Sequence, residues 1–212
     1  MKLYTYFRSS AAFRVRIALN LKSIGYESMP RQFAKNEHRS AEYLAMNPQG
    51  LIPALDIGGA VLSQSLAIIE YLDETHPAPA LLPADAIGRA RVRSMSQAIA
   101  CDIHPLNNLR VLNYLREELA QDGDKVKDWY RHWIIEGFQG IEAMTREYST
   151  SRQFSYGDTV SLADVCLLPQ IFNARRFNTD LSPFPTLVAI GGHLESLPAF
   201  ANARPEVQPD AV

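Results

Sequence analysis

Between residues 77 and 85 the chain reads Pro-Ala-Pro-Ala-Leu-Leu-Pro-Ala-Asp. Proline lacks the N–H that helices and central strands require, so this stretch predicts a semi-rigid linker. It divides two different patterns. Upstream, short strand-like runs alternate with helical ones; downstream, the apolar spacing is helical throughout. Two domains are therefore expected, residues 1–80 with mixed α+β structure and residues 86–212 all helical. A chain of 212 residues can give each a core of its own.

In the first part, Lys2–Phe7 predicts a strand and Ala12–Leu21 a helix whose apolar stripe is Phe13, Ile17, Ala18 and Leu21. Tyr26–Met29 predicts a second strand and Arg39–Met46 a second helix, closed by the turn Asn47-Pro48-Gln49-Gly50. Ala54–Ile57 and Val61–Ser63 flank Gly58-Gly59 and predict a hairpin, and Ser65–His76 a third helix. In the second part, Arg89–Leu119 and Lys125–Glu147 predict long helices. Ser161-Leu162-Ala163-Asp164 has capping-box spacing before a helix through Val165–Arg176, bent near Pro169. Trp129, Trp133 and Phe138 read as core, Arg14 and Arg16 as makers of surface or interdomain ion pairs, and the tail from Arg204 as a capping extension.

A formal net charge of −2 and a pI near 6.2 give no reason to expect nucleic acid or an anionic membrane as partner. No apolar run approaches the roughly 20 residues that span a bilayer, and no leader-like segment opens the chain. Cys101 and Cys166 are isolated and lack metal-ligand spacing; they read as reduced core residues of a cytoplasmic protein without a metal site.

The chemistry-bearing stretch follows the first strand: Arg8-Ser9-Ser10-Ala11-Ala12-Phe13-Arg14-Val15-Arg16-Ile17-Ala18-Leu19. A helix start presents unpaired N–H groups and a positive dipole end, and so favours an anion. A serine there caps the helix or donates to a thiolate, with Arg8 adding fixed charge. At Gln64-Ser65 the second residue reads as a routine N-cap of the third helix.

This stretch resembles the signature of zeta-class glutathione transferases, which include the maleylacetoacetate and maleylpyruvate isomerases. Their pattern is Arg-Ser-Ser-Cys, a small residue, an aromatic, then Arg-Val-Arg-Ile-Ala-Leu; Ala11 stands here in place of the cysteine. The resemblance extends along the whole chain. It implies an N-terminal thioredoxin-like domain, an all-α C-terminal domain, glutathione as cofactor and a homodimer. It also implies roles for particular residues. Ser9, with Ser10 as fallback, would activate the thiol. Gln64 and Ser65 would hold the γ-glutamyl end, and Ile52 before a cis Pro53 the cysteinyl backbone. His38 and Gln49 would lie at the glycyl end. In Cys101-Asp102-Ile103-His104-Pro105-Leu106-Asn107-Asn108-Leu109-Arg110, His104 and Asn108 would lie near glutathione and Arg110 at the substrate, across a domain cleft. Arg176 would grip a substrate carboxylate, with Arg175 left to solvent or structure. The activity implied is cis–trans isomerisation of a maleyl diketo acid, a dicarboxylate, during aromatic-ring degradation. Alternatives are a conjugating or dehalogenating transferase of the same class, and a non-catalytic binding module on the same fold. A thiol-redox protein is disfavoured because neither cysteine lies at the helix start.

Overall fold

The structure, a computed structural model, describes residues 1–211. They divide into two compact units, Met1–Ala80 together with the segment from Ser196 onward, and Leu81–Glu195. The C-terminal segment thus groups with the N-terminal unit and not, as the sequence had suggested, with the helical one.

In the first unit, β1 (Lys2–Thr5), α1 (Ser10–Leu21), β2 (Glu27–Pro30), α2 (Ala41–Met46), β3 (Ala54–Asp56), β4 (Val61–Ser63) and α3 (Ser65–Thr75) follow in the expected order. Two short 3-10 turns, Phe33–Lys35 and Glu37–Arg39, precede α2; the second takes Arg39, the expected first residue of that helix, which Ser40 caps instead. The sheet order is β2-β1-β3-β4, with β1 parallel to β2 and antiparallel to β3, and the β3–β4 hairpin antiparallel. This is a thioredoxin-like arrangement. Leu3, Tyr4 and Thr5 of the central strand are all buried, which requires cover on both faces.

One reason α1 gives a weak amphipathic signal is that every residue from Ser10 to Leu19 is buried. Its C-terminal end is fastened by Lys22, whose Nζ donates to Asp73 Oδ1 (2.8 Å), His76 O (2.6 Å) and Pro79 O (3.0 Å). Arg14 and Arg16 are each only 1% exposed, so of the two roles expected of them, surface or interdomain ion pairs, the surface one is wrong. Arg16 replaces its lost hydration with acceptors, and burial still lowers its pKa to about 10, leaving it charged at neutral pH.

The second unit contains α4 (Ala86–Gln97), a π-helical stretch (Ala98–Ile103), α5 (His104–Leu106), α6 (Leu109–Glu117), α7 (Gly123–Tyr148), α8 (Leu162–Arg176) and most of α9 (Pro185–Ser196). The short α10 (Pro198–Ala201) belongs to the first unit. The single helix expected over Arg89–Leu119 is broken. Pro105 has no N–H to offer the preceding turn, the backbone widens before it, and the helix restarts after Asn108. Gly137 of α7 makes this possible, since a Cβ there would overlap the Ile103 side chain. Cys166 is buried, whereas Cys101 is exposed and not a core residue. Phe138 is core; Trp129 and Trp133 form a half-buried edge-to-face pair at its margin. Among the described residues no helix is long and apolar enough to cross a membrane.

Candidate functional site

In the first unit the site is built from helix starts. Ser9 is the N-cap of α1: its Oγ accepts the Ala12 N–H at 3.2 Å. A hydroxyl has one hydrogen and two lone pairs, so capping leaves the hydrogen to donate. Ser10 is the buried first residue of the helix, and Arg8 is exposed with its guanidinium 4.8 Å from the Phe7 ring centre.

The start of α3 differs from expectation. Gln64, not Ser65, is the N-cap position, and its backbone is left-handed at φ +69°. A non-glycine residue held there is strained, and such strain is characteristic of ligand-holding turns. Ser65 is the first helical residue, and its Oγ accepts from Arg14 Nη1 at 3.2 Å. Gln64 Nε2 donates to Gln49 Oε1 at 2.9 Å, joining two residues that the sequence separates by a hairpin. The Ile52–Pro53 bond is cis, and both residues are buried immediately before β3. His38 packs edge-on against Phe33, and its Nδ1 is buried without a hydrogen bond. Burial and neighbouring Arg39 hold its pKa below the usual imidazole value.

In the second unit, the break after Pro105 presents His104 and Asn108. Trp129 Nε1 donates to Leu106 O at 2.8 Å, and buried Asn107 donates to Tyr130 O at 3.1 Å; α7 thereby sets the shape of the break. Asn108 Oδ1 caps α6 by accepting Arg110 N–H at 3.2 Å, which leaves its amide hydrogens available. Both Arg175 and Arg176 lie in the last turn of α8 and are exposed. Arg175 pairs with Glu195. Arg176 has no ion pair among the described residues and rests 4.9 Å from the Phe177 ring centre. Phe177 in turn stacks on Tyr130, whose pKa burial pushes up to about 12.

The glutathione S-transferase N-terminal domain model matches residues 1–74. A probable maleylacetoacetate isomerase of Vibrio cholerae is 51% identical, over 99% of this chain and 97% of its own. The chain belongs to the zeta-class glutathione transferase family. A holo maleylpyruvate isomerase described as a bacterial zeta-class glutathione transferase superposes with TM-score 0.98 at 47% identity, over all of both chains. A Methylobacterium extorquens maleylacetoacetate isomerase solved with malonate and glutathione gives 0.95 at 40%, again over all of both.

As a zeta-class site, the residues fit a tripeptide with two carboxylates. Two helix starts, a cis-proline turn and side-chain amides are donor-rich, and the unpartnered Nδ1 of His38 adds a buried polar atom. Arg14 is the residue that sequence reasoning missed. Its charge pointed to a surface or interdomain ion pair, and only the burial of α1 on every side, legible in Ala11, Ala12, Val15 and Ala18, argued for a place inside the first unit. Ala11 is buried and presents no thiol.

Proposed function

We propose that the protein is a glutathione-dependent isomerase converting maleylacetoacetate or maleylpyruvate to the fumaryl isomer. The observation that carries this reading is the Ser9 hydroxyl, fixed as the N-cap of α1 with its hydrogen still available. Bound glutathione supplies a thiolate whose reversible addition turns the cis double bond into a rotatable single bond. Ser9 and the start of α1 lower the cost of that negative charge at neutral pH. Gln64 and Ser65 hold the γ-glutamyl end, Ile52 the cysteinyl backbone, and His38 and Gln49 the glycyl end, with His104 and Asn108 as further polar contacts.

Arg8, Arg110 and Arg176 bind the substrate's carboxylates and stabilise the enolate that develops on addition. Each is exposed and lacks an ion pair among the described residues, so its charge is available to a dicarboxylate. Arg175, committed to Glu195, is not part of this set. A homodimer in the cytoplasm is the setting implied by the family. Assaying both maleyl compounds with catalytic glutathione tests the reading. Fumaryl product from at least one is expected, and the larger kcat/KM identifies the physiological tail. No isomerisation of either would overturn it.

A further inference from the structure

The turn that presents Arg8 and Ser9 is gripped from behind. Asp210 Oδ2 accepts the Phe7 N–H at 3.0 Å, and Arg16 Nη2 donates to the Phe7 carbonyl at 3.0 Å. Arg16 also donates to Thr5 Oγ1 (3.2 Å) and, through Nε, to Ala203 O (3.0 Å). The segment carrying Asp210 is itself braced: Gln208 Nε2 donates to Arg204 O (2.8 Å) and Asn202 O (3.1 Å), and Asn20 Nδ2 to Ala199 O (2.9 Å). On the other side, Ser9 N–H donates to Tyr6 O at 3.0 Å, so Phe7 sits inside the turn that places Ser9.

We infer that the C-terminal segment is a positioning element for thiol activation, with Asp210 and Arg16 clamping the two polar groups of the Phe7 peptide so that the Ser9 hydroxyl is held at its working place. The inference rests on Ser9 as the thiolate donor. A shift of about 1 Å in a catalytic group costs roughly 10²-fold in rate, so a backbone clamp one turn away has kinetic leverage. Asp210 Oδ1 is buried without a hydrogen bond, so only one of the two oxygens is engaged, and that one by Phe7. An asparagine can accept the same N–H; an alanine cannot.

The test compares Asp210→Ala, Asp210→Asn and Ser9→Ala in the full chain. The readouts are the pKa of the bound glutathione thiol, from its ultraviolet thiolate absorbance, and kcat at saturating glutathione and maleyl substrate. Asp210→Ala is expected to raise the bound-thiol pKa and to lower kcat ~10-fold or more, with KM for the maleyl substrate little changed. Asp210→Asn should restore most of both. Ser9→Ala should raise the same pKa independently. If Ser9→Ala raises it and Asp210→Ala leaves thiol pKa and kcat at wild-type values, the positioning role is overturned while thiol activation by Ser9 stands. If Ser9→Ala has no effect, the Ser9 assignment fails and this role with it. Equal losses in Asp210→Asn and Asp210→Ala also count against the clamp, because the N–H acceptor would then be irrelevant.

Discussion

Arg14 Nη1 donates to Ser65 Oγ at 3.2 Å, so a buried cation on α1 reaches the first residue of α3. The bond couples the two helix starts on which the glutathione-binding reading depends. It also places fixed positive charge behind the position proposed for the γ-glutamyl carboxylate. Ser65→Ala should therefore raise KM for glutathione ~10-fold with little change in kcat at saturation, the pattern of lost ground-state binding. Steady-state kinetics with glutathione varied measures this; an unchanged KM with reduced kcat would move Ser65 out of the binding role.

The arginines of the second unit separate by what already engages them. Arg176→Ala should depress kcat/KM for the maleyl substrate by ~10²-fold, as expected when a bound carboxylate loses its partner. Arg110→Ala should have a smaller effect in the same direction. Arg175→Ala breaks only the exposed pair with Glu195, and such pairs contribute ~0–1 kcal/mol, so its kinetics should stay near wild type. A large loss at Arg175 with none at Arg176 would reverse the assignment.

What the sequence made legible was local. The hairpin around Gly58-Gly59, the strand–helix order and the start of α8 are each signalled within a few residues. At that start, Asp164 accepts the Ser161 N–H at 2.8 Å, the half of the capping box carried by its N3 carboxylate. What it concealed depends on distant partners. Arg16 is satisfied by Phe7 and by Ala203, which lies 187 residues away. The break at Asn107–Asn108 is shaped by Trp129 and Tyr130 of another helix, while the apolar spacing runs through it unbroken. Nothing local tells a capping tail from a segment that returns to the first unit.

Lys22 illustrates a distant network with a stability consequence. Its buried Nζ serves Asp73 and the carbonyls of His76 and Pro79. Lys22→Ala removes the buried ammonium from these acceptors and should cost roughly 3–5 kcal/mol. Urea or thermal unfolding measures the loss; a change below about 1 kcal/mol, the scale of an exposed pair, would show that water replaces the ammonium without penalty.

His38 sets a sign for pH dependence. Its native pKa lies below the unfolded value of about 6.5, so the unfolded chain binds the proton more readily. The neutral imidazole therefore contributes stability above that value, and the contribution is lost as pH falls through the lower native pKa. Thermal midpoints of wild type and His38→Gln should differ by a constant amount above pH ~7, with the wild type losing ground below pH ~6. A wild-type advantage that grows on acidification would mean His38 is stabilised as the cation.

The most direct measurement is the number of product molecules formed per glutathione. With glutathione far below the maleyl substrate, the fumaryl isomer should accumulate well beyond one equivalent, and mass spectrometry should recover glutathione unmodified at the end. Product that stops at one equivalent, with glutathione recovered as a stable thioether, would contradict isomerisation and make the protein a conjugating transferase.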